Sequence, residues 1–159
     1  MIRLTTLDDT HHVIILAEAS GLFEPNQTEQ LSQMLAQHFN CATNSEELWF
    51  TDDDDGPVGV AYTAPERMTE GTWNLYLIAI HPDRQRQGRG TSLLAHIEKV
   101  LTERGQRILL VETSGTNDCE YVGAFYRKNG YTEEARIRDF YTVGVDKIVY
   151  WKSLGKPGA

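Results

Sequence analysis

The sequence predicts an α/β fold, a mixed sheet flanked by helices, and three observations carry that expectation. Short apolar runs and stretches with apolar residues at helical spacing follow one another in the order β, α, α, β, β, β, α, β, α, β, β. One run, Leu75, Tyr76, Leu77, Ile78, Ala79 and Ile80, is mostly apolar on both alternating faces, as a doubly buried strand requires. A glycine-bearing loop then leads directly from that strand into an amphipathic helix.

The elements can be justified in order. A strand over residues 2–5 opens the chain, and a helix over about 8–20 follows, with Val13, Ile14, Ala17 and the later Leu22 sharing a face. Asp8 and Asp9 stand at its start, where a cap and the helix dipole favour acid. A second helix is expected over about 28–39, then strands near 47–51 and 58–63. Asp52, Asp53, Asp54, Asp55 and Gly56 join those strands, and Asp55-Gly56 is the strongest hairpin signal in the chain. The acidic run does not fit a calcium loop, because Tyr62 stands where a glutamate ligand is needed, so a solvated turn is expected. His81 and Pro82 end the buried strand, and Leu93, Leu94, Ile97, Val100 and Leu101 then mark one face of a helix over about 88–104.

Composition narrows the class. A chain of 159 residues can bury one sizeable core, and no linker-like stretch divides it, so residues 1–154 are expected to form a single domain with a disordered tail at 155–159. The N-terminus lacks the pattern of a leader, no run approaches the length of a membrane span, and Cys41 and Cys119 are too few for a disulfide framework. A cytoplasmic protein is expected. Neither cysteine has ligand spacing with a histidine, so no metal is expected. The net charge of −8 argues against nucleic acid, whose phosphates require a basic face.

Against that acidic background, residues 84–90 read Arg, Gln, Arg, Gln, Gly, Arg, Gly. The first turn of a helix leaves main-chain N–H groups without partners and carries the positive end of the dipole, so a loop feeding it can hold an anion. Gly88 and Gly90 permit close approach and positive φ, while Arg84, Arg86 and Arg89 add charge. A polyanionic ligand accounts for them. The loop does not satisfy the P-loop pattern, since no Gly-Lys-Ser or Gly-Lys-Thr closes it, and it lacks the three-glycine dinucleotide fingerprint.

Gln85, Arg86, Gln87, Gly88, Arg89 and Gly90 resemble the Q/R-x-x-G-x-G/A signature of the GNAT superfamily of acyl-CoA-dependent N-acetyltransferases. The strand ending in Ala79, Ile80, His81, Pro82 looks like the family's fourth, and Ile108 to Val111 like its fifth. Phe125, Tyr126, Arg127, Lys128, Asn129, Gly130, Tyr131 is similar to the segment on the helix that follows, and the run 139–154 resembles the last two strands, with residues 146–150 leading the final one.

The resemblance implies a mostly antiparallel mixed sheet, splayed between strands 4 and 5, with about four helices. It implies acetyl-CoA as acetyl donor, held by Gln85, Arg86, Gln87, Gly88, Arg89, Gly90 and Thr91, with the main chain of Ile78, Ala79 and Ile80 pairing with the pantetheine arm. A strand-four N–H would stabilise the oxyanion, an effect typically worth about 3 kcal/mol per donor. Tyr126 matches the tyrosine that returns a proton to the CoA thiolate, and its phenol, with an ordinary pKa of about 10, is protonated at neutral pH.

The base stays open at this point. An alkyl ammonium of pKa near 10.4 must lose a proton before it attacks. Where many relatives carry a strand-four glutamate this chain has Asn74, which can hold a water but take no proton. Glu112 at the end of strand five is the first choice, with His81 and Glu24 as alternatives. The asparagine that relatives place seven residues before the tyrosine is replaced by Cys119, with Asn117 two residues earlier as its stand-in, or Thr113 and Ser114 in its place. The acceptor site is implied around residues 22–24 and 140–145, with Phe23, Tyr76 and Tyr141 as aromatic walls and Glu24 and Asn74 as polar lining.

The partner is then a small-molecule or peptide amine, with neither nucleic acid nor membrane, and a homodimer is left open. Two other classes compete: a non-catalytic acyl-CoA sensor, favoured by the missing glutamate and disfavoured by Tyr126, and a nucleotide-using transferase, disfavoured by the absent P-loop lysine.

Overall fold

The computed structural model describes residues 1–21, 25–40, 46–115 and 120–155. Its elements are β1 (Ile2–Leu4), α1 (Thr10–Ala19), α2 (Pro25–Asn40), β2 (Leu48–Asp53), β3 (Pro57–Pro65), β4 (Thr72–Ile80), α3 (Arg89–Glu103), β5 (Ile108–Ser114), α4 (Glu120–Lys128), β6 (Thr132–Thr142) and β7 (Val145–Ser153). This is the predicted order, with short 3-10 turns at Leu7–Asp9 and Pro82–Arg84 added. The strands form one mixed sheet in the order β1-β2-β3-β4-β5-β7-β6. β4 and β5 pair in parallel, whereas β1 with β2, β2 with β3, β5 with β7 and β6 with β7 are antiparallel. No helix among the described residues is long and apolar enough to cross a membrane.

The chain divides into two units, Met1–Ala64 with Leu77–Ile97, and Pro65–Tyr76 with Glu98–Ala159. In the first, Val13, Leu16 and Ala17 fall at helical spacing on α1 and are buried together with Leu31 and Leu35 of α2 against Trp49, Val60, Tyr62, Leu77 and Ala79. Trp49 stacks on Tyr62 with ring centroids 4.3 Å apart. Burying one such large side chain contributes about 1.5–3 kcal/mol, so this cluster fixes both helices on their strands. The β2–β3 register shifts between Asp52 and Asp53. Gly59, opposite Asp52, packs closely, since an added Cβ would stand 2.8 Å from Ile80 Cδ1 and the Ile80 side chain would have to shift.

In the second unit, β5 is paired on both sides: four residues of β4 run from Thr72↔Ile108 to Leu75↔Val111, and β7 pairs with it from Ile108↔Ser153 to Ser114↔Lys147. Trp73, Leu75, Leu101, Leu109, Val111, Tyr126, Tyr131, Ile148, Tyr150 and Leu154 are buried here. Glu98 accepts hydrogen bonds from the Tyr131 hydroxyl at 2.8 Å and the Lys152 ammonium at 2.9 Å.

Several expectations are corrected. The sixth strand begins at Thr132, not near residue 139, and every one of its residues is exposed. With no buried face it carries no apolar alternation, and pairing with β7 holds it. α1 starts at Thr10 with Asp9 at its N-cap position, but the Asp9 carboxylate makes no cap bond to α1; it accepts from the Thr6 N–H and hydroxyl, closing the capping box of the preceding 3-10 turn, and pairs with Arg3 at 2.7 Å. α2 starts at Pro25, before the predicted residue 28. The acidic run is not merely a solvated turn: Asp52 and Asp53 belong to β2, Asp52 is 4% exposed, and Asp53 pairs with Arg3 at 2.7 Å. Leu22 lies outside the described residues, as do Cys41 and Cys119.

Candidate active site

Within the first unit the chain leaves β4 through His81, whose Nδ1 accepts the Asp83 N–H at 3.1 Å while its own N–H reaches the Val58 carbonyl at 2.8 Å. His81 is therefore used as a turn cap. The Gln85 amide nitrogen donates to the Ile80 carbonyl at 3.1 Å and ties the loop to the strand end. Arg86 (φ 61°) and Gly88 (φ 76°) both take left-handed backbone, turning the chain so that α3 starts at Arg89. Among the described residues, the main-chain N–H groups of 86–91 meet no protein acceptor; Ser92 is the first to do so, donating to the Gly88 carbonyl at 3.0 Å. Six consecutive donors without a protein acceptor at a helix start are of the kind that can hold an anion, and nothing lies within 4 Å of where a Gly88 Cβ would stand. The donor set fits a diphosphate.

The arginines depart from expectation. Arg84 pairs with Asp54 at 2.7 Å, and Arg89 pairs with Asp52 at 3.0 Å and also with Asp54. Both arginines hold the Asp54 carboxyl below its ordinary range. Two of the three cations expected to face a ligand are thus neutralised within the protein, and Arg86 forms no ion pair among the described residues. The acidic hairpin positions the loop. Ala79 is buried in the core, while Ile78 and Ile80 are half-buried.

The second unit holds a fork. The parallel ladder stops at Leu75↔Val111 although β4 and β5 both continue, so Tyr76 and Glu112 are the first residues past the last rung. Asn74 is buried and donates its Nδ2 to Glu66 Oε1 at 2.9 Å; the Tyr76 hydroxyl donates to the same oxygen at 3.0 Å. Burial, then the Glu66 hydrogen bond, then the charges of Glu66 and Glu112 push the Tyr76 phenol up to about 12. Tyr141 is raised as well, by burial and then by Glu112. Glu112 itself is paired with Lys147 at 3.0 Å, and the Lys147 ammonium lies 4.3 Å over the Phe140 ring.

Asn74, Tyr76, Glu112 and Tyr141 are thus brought into one electrostatic neighbourhood. Two of its members, Glu66 and Lys147, were not singled out from the sequence. Glu66 sits in a Pro-Glu-Arg turn with no motif around it, and Lys147 is one polar position in an alternating strand, so neither carries a sequence signal.

Tyr126 is 3% exposed on α4, stacked on Tyr150 at 5.5 Å and edge-on to Phe125 and Tyr131. Burial, followed by the neighbouring Tyr150, raises its phenol well above the usual range, so it is a protonated donor at neutral pH. Phe23, Glu24 and Asn117 lie outside the described residues.

Comparison with known proteins bears on these arrangements. Residues 44–133 match the family described as Acetyltransferase (GNAT) domain. The [ribosomal protein bS18]-alanine N-acetyltransferase of Escherichia coli K12 is 37% identical over 67 residues, 42% of this chain and 44% of that protein, so the match spans less than half of that relative. The crystal structure of a GNAT-family protein from Desulfovibrio desulfuricans superposes with a TM-score of 0.92 at 30% identity, covering 98% of this chain and 99% of that one. An aminoglycoside 6'-N-acetyltransferase complexed with coenzyme A shares the fold, with a TM-score of 0.80 at 17% identity over 99% of this chain and 98% of that one.

Proposed function

The chain belongs to the GNAT acetyltransferase family, and from that premise we propose that residues 1–154 form one acetyltransferase domain that moves the acetyl group of acetyl-CoA to a primary amine by direct attack. The observation that carries this reading is that, among the described residues, the N–H groups of 86–91 meet no protein acceptor at the start of a helix, a donor set suited to a diphosphate. Gln85, Arg86, Gln87, Gly88, Arg89, Gly90 and Thr91 would hold it, with Asn117 assisting, and the main chain of Ile78, Ala79 and Ile80 would align the pantetheine arm. Acetyl-CoA supplies the activated acetyl group. The main chain binds and aligns it, and side chains move the protons.

The amine must arrive as an ammonium and react as a free base. Carboxylates at the β4–β5 fork serve that need, and Glu112, at the end of a central strand, is the residue nominated to receive the proton. Tyr126, protonated at neutral pH, donates its phenolic proton to the departing thiolate. Tyr76 and Tyr141, with Asn74, Phe23 and Glu24, would line the acceptor side. The E. coli relative is named for a ribosomal-protein alanine and a structural neighbour for aminoglycosides, so peptide amines and amino sugars both belong in a test panel.

A thiol-detecting reagent applied to acetyl-CoA, the protein and that panel tests the reading. Free thiol is expected with at least one amine and not without it. Tight acetyl-CoA binding with no release from any amine would favour a sensor, and ATP binding without CoA binding would favour a nucleotide enzyme.

A further inference from the structure

Two carboxylates stand at the fork and their surroundings differ. Glu112 has a lysine ammonium 3.0 Å away, so its charge is already answered. Among the described residues Glu66 is held only by neutral donors, the Asn74 amide and the Tyr76 hydroxyl, and both converge on Oε1. Its Oε2 takes no hydrogen bond from the described residues, and none of their lysines, arginines or histidines comes within ion-pair distance of it. Arg67 follows it in sequence and is exposed, without pairing with it. Glu66 is half-buried, so water screens its charge less than that of a surface carboxylate. Tyr76, half exposed, adds an aromatic face beside it, the kind of surface on which a cation also rests well.

Building on the acetyltransferase reading, we propose that Glu66 is the specificity-determining anion of the acceptor site, with Oε2 receiving the ammonium of an aliphatic amine substrate beside the Tyr76 ring. Asn74 and Tyr76 are then positioning residues: by occupying Oε1 they fix the carboxylate and turn its other oxygen to the substrate. The arrangement also favours turnover. The acetylated product is a neutral amide, so the charge that brought the amine to Glu66 is gone once the reaction is over. Lys147 gives Glu112 a different part, since an anion already paired with a lysine attracts a second cation weakly.

The test uses the full chain and Glu66→Gln, which keeps an oxygen able to accept from Asn74 and Tyr76 and removes only the charge. Steady-state kinetics with an aliphatic amine that the wild type acetylates should show KM raised at least tenfold and kcat changed less than threefold, with the acetyl-CoA dissociation constant by calorimetry unaltered. Independently of any turnover, NMR titration of the tyrosines should show the Tyr76 phenol moving down from about 12 towards its ordinary value. Unchanged KM in a folded variant overturns the proposal, and so does an unchanged KM with a large fall in kcat, which would make Glu66 the proton acceptor instead. A wild type that binds acetyl-CoA yet acetylates no amine overturns the acetyltransferase reading, and this one with it, so the two failures are distinguishable.

Discussion

Single side chains decide most of the chemistry. Tyr126 packs against Tyr150, Tyr131 and Phe125 through its ring, so Tyr126→Phe keeps the packing and removes only the hydroxyl. Turnover is expected to fall more than tenfold while acetyl-CoA still binds, and unchanged turnover would remove the phenol from the mechanism. The Arg3 guanidinium, helped by Thr6, holds the Asp9 carboxyl at about 2 against an ordinary 3.8. Because the folded value is the lower one, this stabilisation is complete above about pH 4 and drains away as pH falls towards 2, a contribution of about 2 kcal/mol. Urea unfolding of wild type and Asp9→Asn should differ by that amount at pH 6 and converge near pH 2; a constant gap would mean that the charge is not its source. The loop arginines show where residue-level reading from sequence stops. Their clustering was visible, but their pairing with Asp52 and Asp54 depends on a hairpin some thirty residues away in the chain.

Elements were legible in proportion to the regularity of their burial. α1 and α3 each bury a periodic face, and the periodicity located them; β4 was located by its continuous apolar run, although it begins at Thr72, ahead of that run, and leaves Tyr76 exposed where burial on both faces was expected. β6 buries nothing and gave no such signal. Gly123 on α4 was silent too, because its reason is a neighbour: an added Cβ would overlap the Tyr150 hydroxyl and stand 3.0 Å from Arg127 Nη1. Two effects oppose each other in Gly123→Ala. Helix propensity favours alanine by about 1 kcal/mol, whereas overpacking costs about 1–3 kcal/mol. Arg127 can swing away but Tyr150, 2% exposed, cannot, so the steric effect wins. Chemical denaturation should find the variant less stable by about 1–2 kcal/mol. A stabilised variant would show that α4 yields more readily than its packing implies.

At the scale of the molecule, the element order and the strand, glycine turn and helix around residues 75–103 followed from the sequence because both are local: a buried run, a glycine turn and an amphipathic helix in succession. The splay of β4 from β5, with Asn74, Tyr76 and Glu112 as site residues, came from the family resemblance rather than from local pattern, and Glu66 and Lys147 carried no signal, since these five residues come from four separate stretches and meet through strand pairing. The ion pairs at the loop likewise needed the fold: Arg84 and Arg89 are answered within the protein by Asp52 and Asp54, so on the proposed reading main-chain N–H groups are the phosphate donors. Amide NMR of the labelled chain titrated with acetyl-CoA tests that claim most directly. Saturating shifts concentrated in the amides of residues 86–91 are expected; saturable binding that leaves those six amides in place and moves others would contradict it.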